Sequence, residues 1–298
     1  MNARATLRLL CLYISLMCLL ATQAAHAAQS AHAMLIPEGA ITLIRGTTVI
    51  AVDAPLALQP GDLLATDAHT SAQIDYDDGT LAALAADTRL AIDATDSLAL
   101  LSGWIKVTRK HAAAPSAWTI DTTGLRAVLL DGSIVMHADA DAVSMFIEYG
   151  NIALSDDGRG QHPQNVSGEH YVQRSRHANG TPLNIEARPA SAFLAAVPLP
   201  FRDPLAAAAA RIASKETLPA QERTAAYADI GDWLTTSLPV RHTFVARFGP
   251  LAQAQPFRAQ VQRHLRDLPD WRRVLCPPTP QRRRAIAPAE ARTSDNES

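Results

Sequence analysis

Acidic clusters are the features of this sequence whose residue types could bind a metal ion. Asp75, Asp77 and Asp78 lie within four positions, and Asp139 and Asp141 form a second group. A Ca²⁺ site needs about six to eight oxygen ligands in a shaped loop, and neither cluster has the D-x-D-x-D-G spacing of a calcium loop. Turn chemistry, in which Asp caps the backbone and a neighbouring Gly takes a positive φ, needs no ligand. We therefore interpret both clusters as turns.

Histidine and cysteine could supply zinc or nucleophilic chemistry. His162, His170 and His177 are the closest histidines, in a polar stretch, and the sequence has no H-E-x-x-H or C-x-x-C pair. We interpret them as solvated loop residues, and Cys276, beside two prolines, as a packed or free thiol. The G-x-S-x-G, Walker and G-x-G-x-x-G patterns are absent as well. We predict no catalytic residue, no metal site and no cofactor, and hence a chain that is not an enzyme.

Tryptophan and arginine clusters could bind sugars or anionic lipid. Each tryptophan sits among apolar neighbours or at an element edge, which favours core or interface packing; the four are Trp104, Trp118, Trp233 and Trp271. The arginine run at 282–284 belongs to a segment with no hydrophobic period. A solvated flexible tail is the simpler interpretation of that run.

The first 27 residues have the organisation of a secretory signal peptide. Arg4 and Arg8 precede an uncharged run of 13 residues, 9–21, and Ala25-His26-Ala27 follows at the spacing a signal peptidase reads. A 13-residue helix spans about 20 Å of a hydrocarbon core of about 30 Å, which is short for a retained anchor, the alternative. We predict cleavage near Ala27, release into the periplasm, and no stable membrane span afterwards.

The cysteine count and the net charge that would remain after this cleavage exclude two classes of protein, disulfide-stabilised domains and nucleic-acid-binding domains. Cys276 would be the one remaining cysteine, so an internal disulfide is excluded and stability must come from burial. The remaining chain would carry 25 basic and 29 acidic side chains, a net charge of −4. This balance lacks the basic footprint of a nucleic-acid-binding domain, so we predict no nucleic-acid partner. The abundance of alanine and arginine is typical of a GC-rich genome, and we expect a Gram-negative bacterial envelope.

An alternating hydrophobic pattern dominates residues 35–186. Ala72, Ile74 and Tyr76, for example, alternate with polar residues. The short runs end at turn signals, namely Pro60-Gly61-Asp62, Asp78-Gly79-Thr80, Asp131-Gly132-Ser133 and Asp157-Gly158. Short alternating strands separated by such turns predict an all-β domain.

A faint internal repeat suggests how these strands are arranged. Residues 72–84 and 125–136 each run through a glycine turn, and Ser102-Gly103 and Tyr149-Gly150 would close the two units. Two similar hairpin-rich lobes stacked on each other would explain the repeat, as in solenoid-like folds. Chance similarity is the alternative.

The pattern changes near residue 187, and 187–276 predicts a small all-α domain. Helical spacing marks five segments, at 190–197, 204–214, 219–234, 239–248 and 256–268. Proline stands at the start of four of them, where its missing N–H costs nothing. The expected core side chains are Val240, Phe244, Val245, Phe248, Phe257, Val261, Leu265 and Trp271. Residues 277–298 read as a disordered tail. The predicted fold class is therefore α+β in segregated halves.

The β half resembles the FecR-like domain, named after bacterial regulators that relay an iron-siderophore signal from the outer membrane. The similarity covers about residues 37–175, and its most specific part is Leu58-Gln59-Pro60-Gly61-Asp62-Leu63-Leu64-Ala65-Thr66. It continues through Asp78-Gly79-Thr80-Leu81 and Leu100-Leu101-Ser102-Gly103. The resemblance implies an all-β, twisted solenoid-like fold that makes protein contacts and has no enzymatic activity.

This chain departs from the best-known members of that family. Those members have a cytoplasmic helix bundle that holds a sigma factor, followed by one transmembrane helix, whereas a signal peptide is predicted here. We therefore expect a free-standing, exported module that binds envelope proteins and takes part in signalling. A protein that binds cell-wall or other polysaccharide is the alternative, and an envelope hydrolase with a site built from distant residues is the third hypothesis.

Overall fold

The computed structural model describes residues 33–110, 117–156, 162–176, 183–208 and 222–276. The predicted signal peptide (1–27) and the predicted tail (277–298) lie outside these residues. The described residues form one sixteen-stranded sheet, with the helices packed against it.

The first eight strands form hairpins and short ladders. They are β1 (Ala33–Glu38), β2 (Ile41–Arg45), β3 (Thr48–Val52), β4 (Leu56–Ala57), β5 (Leu63–Ala65), β6 (Ser71–Tyr76), β7 (Leu81–Leu84) and β8 (Arg89–Ala94). The predicted turns at Gly61 and Gly79 are confirmed, with φ values of +91° and +81°. The Asp78 side chain accepts a hydrogen bond from the Thr80 N–H at 2.9 Å, as the turn interpretation of this aspartate requires.

The remaining strands include three long ones. They are β9 (Ser97–Arg109), β10 (Trp118–Thr122), β11 (Leu125–Ala138), β12 (Ala142–Ser155), β13 (Gln164–Ser167), β14 (His170–Ser175), β15 (Asn184–Glu186) and β16 (Glu222–Thr224). The sheet is mixed, because β10 pairs with β9 in parallel while the other ladders are antiparallel.

Glycines bend the three long strands instead of ending them. Gly103, Gly132 and Gly150 all have positive φ, yet each lies inside a strand, so the turns predicted at these positions are wrong. On one side of Gly103, β9 pairs with β8 and β10, and on the other side it pairs with β7 and β11. A Cβ at Gly103 would lie 2.5 Å from Thr88 Cα, so this close approach requires glycine.

The predicted solenoid-like stack of two lobes is therefore also wrong. Because β9 continues past the predicted end of the first unit at Gly103 and pairs there with β11 of the second, the two units form a single sheet. Its longest path runs from β15 at one end to β16 at the other. A positive φ serves a tight turn and a strand bend equally well, and the local sequence does not distinguish the two.

The helices follow the strands and contribute a second core. They are α1 (Ser191–Ala196), α2 (Tyr227–Thr235), α3 (Arg241–Phe248), α4 (Gln255–Arg263) and α5 (Arg272–Leu275), with short 3₁₀ turns at Leu199–Arg202, Gly249–Gln253 and Pro269–Trp271. Six of the eight predicted helical core residues are buried and the other two, Val245 and Leu265, are partly buried against them.

The segregation of the two halves, however, is contradicted. Strand residues Ile44, Leu63 and Ala99 belong to the same core cluster as the helical residues. In addition, β16 lies inside the predicted all-α region and pairs with β3. Of the segment predicted as helix at 204–214, residues 204–208 are not helical, and 209–214 lie outside the described residues. An apolar helix face and an apolar sheet face can bury each other, and hydrophobic spacing alone does not specify the partner.

One buried tyrosine, Tyr76, provides a test of the packing in the largest core. The Tyr76 hydroxyl is buried and has no hydrogen-bond partner in the described part of the chain. Its ring packs edge-on against Trp118, with the ring centroids 4.4 Å apart. Burial, helped by the charge of Asp78, raises the pKa of Tyr76 above its ordinary value.

We expect Tyr76→Phe to keep the free energy of unfolding within about 0.5 kcal/mol of wild type at neutral pH, because the removed hydroxyl makes no bond. Above the ordinary tyrosine pKa of about 10 the unfolded chain ionises this residue and the folded chain does not, so wild type should lose more stability than the variant. Urea unfolding at pH 7 and at about pH 11 measures both effects. A loss above about 1 kcal/mol at pH 7 would show that the hydroxyl has a partner.

Candidate functional site

The turn at residues 59–62, within the most specific part of the family resemblance, is held by a partly buried ion pair. Arg45 donates from Nε and Nη2 to the two carboxylate oxygens of Asp62, at 3.0 and 2.6 Å. Asp62 is buried and also accepts a hydrogen bond from the Gln59 N–H at 2.8 Å. The polar groups of this turn are thus satisfied within the fold, and they position β2 against β5.

Arg247, in α3, joins the helices to the same turn. Its guanidinium donates to the carbonyl oxygens of Gly46 at 2.6 Å and Ile44 at 2.8 Å, and to that of Gly61. It also lies over the ring of Phe248, 4.6 Å from the centroid. Burial lowers the pKa of Arg247, but a guanidinium stays charged in proteins. A partly buried cation held by three carbonyl groups therefore docks the helices onto the sheet.

Residues 190–208, which we call the strap, cover the face of the sheet opposite the largest core. Val135 lies on this face, whereas its neighbours Ile134 and Met136 point into that core. The strap buries Phe193 and Phe201 in the same cluster as Val135. Two aromatic anchors therefore hold the strap on this face.

A buried lysine holds the strap in place. Lys106, in β9, is 1% exposed, and its Nζ donates to Glu148 Oε1 at 2.7 Å and to the carbonyl oxygens of Phe201 and Asp203 at 2.9 and 3.0 Å. These contacts use all three donors of the ammonium group. The other oxygen of Glu148 accepts a hydrogen bond from Ser133 at 2.6 Å. The charge of Lys106 is thus neutralised by one side chain and spread over two carbonyl groups of the strap.

Two side chains of β6 hold the far end of the strap. Gln73 Nε2 donates to the carbonyl oxygen of Ala206 at 2.9 Å, and Asp75 accepts a hydrogen bond from the Ala208 N–H at 2.7 Å. Asp75, one of the candidate metal ligands, therefore binds backbone of the strap.

The outward surface of the strap is apolar as far as residue 201, and the exposed charged residues Arg202 and Asp203 follow. Residues 189–201 contain no charged side chain. Leu194 is 50% exposed and Leu199 is 72% exposed, and Ala192, Ala195 and Ala196 around them are exposed as well. Because the strap is anchored on its inner side, these apolar groups are held facing solvent. Contiguous exposed apolar surface of this kind is typical of protein interaction sites.

A cleft of about 520 Å³ lies between the sheet and the C-terminal end of α2. Three charged side chains line it, Asp139 and Arg176 from the sheet and Asp232 from α2. Its hydroxyl groups come from Ser102, Thr123, Thr235, Thr236 and Ser237. The cleft therefore presents charged side chains and hydroxyl groups on a largely apolar lining, and its size is common for small-molecule ligands, about 300–1,000 Å³.

Arg176 is the cation of this cleft. Its Nη2 donates to the carbonyl oxygen of Leu101 at 2.7 Å, and its backbone N–H donates to that of Asp141 at 2.8 Å. Its Nε is buried without an acceptor in the described residues. Burial lowers the pKa of Arg176, with Asp139 acting in the opposite direction at longer range.

The two aspartates of the cleft have different surroundings. Asp139 accepts hydrogen bonds from the N–H groups of Asp141 and Ala142, both at 2.8 Å, as the turn interpretation predicts. Burial acts to raise the pKa of Asp139, but these hydrogen bonds, together with the charges of His137 and Arg176, outweigh it and the pKa is lowered. Asp232 forms an ion pair with Arg89 on the rim of the cleft.

The other side chains considered for chemistry are spread over the fold. His162 is exposed, His170 accepts or donates within its own turn, and His177 lies outside the described residues. Cys276 is an exposed free thiol, which agrees with the free-thiol interpretation. Three of the tryptophans, Trp118, Trp233 and Trp271, are buried, as predicted from their apolar neighbours.

Three cations with central roles at these sites were not predicted from the sequence, namely Lys106, Arg176 and Arg247. One signal exists for Lys106, because it is a rare lysine in this chain and lies between Ile105 and Val107 in an apolar strand. Nothing in the sequence separates Arg176 or Arg247 from the other arginines, since their roles depend on carbonyl groups brought close by the fold.

Helices of membrane-spanning length and hydropathy do not occur among the described residues. No protein-family model and no curated protein matches this chain. Two crystal structures, each of "a putative anti-sigma factor" from Parabacteroides distasonis, are similar to it at 12% sequence identity. Both have a TM-score of 0.36, and the alignments cover 45% of this chain and 62% and 63% of those chains. A TM-score of this size does not establish a shared fold.

Proposed function

We propose that this chain is an exported, non-enzymatic binding module of the bacterial cell envelope, related to FecR-like signalling proteins, which acts through protein–protein contacts. The observation that carries this proposal is the outward face of the strap. Leu194 and Leu199 are held on a segment that is itself anchored by Lys106. An apolar surface that is already anchored loses little conformational entropy when a partner covers it, which favours protein binding. The exposed Arg202, whose Nη2 donates to the carbonyl oxygen of Leu194 at 3.4 Å, adds a charged group at the edge of this surface.

The aspartates of the turns and of the FecR-like motif have structural roles. Asp62, Asp75 and Asp78 bind backbone or partner side chains within the fold. The periplasmic location is part of the proposal and depends on the predicted signal peptide at 1–27.

Crosslinking in the exported protein tests the contact surface. We expect a photo-crosslinking amino acid placed at position 196, between the two leucines, to capture a specific envelope protein. The double variant Leu194→Ser/Leu199→Ser should reduce that product at least about tenfold, because loss of two buried leucines at an interface removes about 3 kcal/mol or more. The matched control is Leu130→Ser, a leucine 57% exposed elsewhere on the sheet. Equal crosslinking in the double variant and the control would contradict the assignment.

A second candidate function is binding of polysaccharide, and the hydroxyl-lined cleft favours it. Sedimentation with purified peptidoglycan separates the two proposals. A module that contacts only proteins stays in the supernatant, whereas a glycan-binding protein enters the pellet and is released by soluble glycan fragments.

A further inference from the structure

We infer that the cleft between the sheet and α2 binds a small hydroxylated carboxylate, of the sugar-acid class, with the carboxylate at Arg176. This site lies apart from the strap and is independent of the protein contacts proposed for it.

Arg176 is a partly buried cation without a direct ion pair. No carboxylate of the described residues lies within 4.0 Å of its guanidinium nitrogens, whereas Arg45, Arg109 and Arg174 each have one. Its contacts in the fold are neutral, chiefly the carbonyl oxygen of Leu101. Asp139 attracts this guanidinium only at longer range. A partly buried charge is stabilised further by a counter-charge in direct contact, and an anion in the cleft would supply one. A planar guanidinium is also the side chain best suited to a carboxylate.

The aspartates at the other walls of the cleft restrict what kind of anion can bind. Asp139 and Asp232 both line it, and they would repel a compact, highly charged anion such as phosphate. They are good acceptors for hydroxyl groups. The ligand that fits is therefore bipolar, with a carboxylate at one end and hydrogen-bond donors at the other.

Three hydroxyl groups of the cleft are available to such a ligand. Ser102, Thr123 and Ser237 line it, and in the described part of the chain their side chains have no hydrogen-bond partner. A hydroxyl both donates and accepts, so it can pair with the hydroxyl groups of a sugar in either direction. The volume of about 520 Å³ accommodates a ligand of one or two sugar rings.

Calorimetric titration of the mature chain with D-glucuronate tests this inference. We expect saturable binding with a Kd near the millimolar range, at least about tenfold weaker binding of D-glucose, which lacks the carboxylate, and no competition by inorganic phosphate. Arg176→Gln should weaken glucuronate binding at least about tenfold and so remove most of the preference for glucuronate over glucose. The matched control is Arg188→Gln, an exposed arginine outside the cleft.

A second variant keeps the test decisive if Arg176→Gln does not fold. Ser237→Ala removes only a hydroxyl group from the wall of the cleft, and we expect it to weaken glucuronate binding about threefold or more. Equal affinity for glucose and glucuronate, tight binding of phosphate, or absence of glucuronate binding by the folded wild-type chain would overturn the inference. The strap variant Leu194→Ser/Leu199→Ser should bind glucuronate normally, so failure of one proposal is distinguishable from failure of the other.

Discussion

Replacing Lys106 with methionine is expected to lower the free energy of unfolding by about 3–5 kcal/mol, the usual effect of breaking a buried ion pair from one side. Methionine fills a similar volume, so the loss arises from the unpaired groups. Glu148 would keep its charge beneath the strap, and the carbonyl groups of Phe201 and Asp203 would lose their donor. Urea denaturation measures the loss.

The strap should respond locally as well. We expect amide hydrogen exchange in strap residues 198–208 to be faster in the Lys106→Met variant than in wild type, because these residues lose their anchor. Exchange in the strands should increase less. Lys110→Met, which removes an exposed lysine four positions further along, is the control and should change stability by no more than about 0.5 kcal/mol. The double variant Lys106→Met/Glu148→Gln should recover part of the loss, since it removes the unpaired carboxylate. Equal stability of the Lys106→Met and Lys110→Met variants would contradict the anchoring role.

Replacing Arg247 with alanine is expected to cost about 2–4 kcal/mol. The guanidinium donates to three carbonyl groups on the β2–β3 and β4–β5 turns and covers Phe248. Hydrogen bonds that involve a charged group contribute about 1.5–3 kcal/mol each, but three bonds from one side chain are not additive. Thermal unfolding, followed by the fluorescence of Trp233 and Trp271 in the helices, reports the change.

Two further variants define the role of the guanidinium. Arg247→Lys should lose most of the same stability, because one ammonium group cannot reach three carbonyl oxygens arranged around a planar fork. Arg266→Ala removes an exposed arginine from the helical region and should have little effect. If Arg247→Ala and Arg266→Ala were equally stable, the helices would be docked by their apolar core alone.

Features that depend on neighbouring residues in the chain could be predicted from the sequence, whereas features that depend on distant residues could not. The apolar positions of α3 and α4 predict the helical core, because a helix brings residues three and four apart onto one face. The same kind of local signal predicts the turns at Gly61 and Gly79. It fails at Gly103, Gly132 and Gly150, where the same backbone conformation bends a continuous strand.

The sequence by itself determined the alternating apolar pattern of the β region, the turns at Gly61 and Gly79 and the apolar faces of α3 and α4, since these depend on near neighbours in the chain. Only the tertiary structure decided that the two halves share a core and that β16 returns to pair with β3. The same holds for the candidate sites. Interpreting the acidic clusters as turns was possible from spacing, but Asp139 becomes part of a cleft only because Arg176 and Ser237 approach it from distant parts of the chain. Hydrogen bonds to carbonyl groups and the pairing of charges depend on such long-range proximity, which residue types and spacing do not contain.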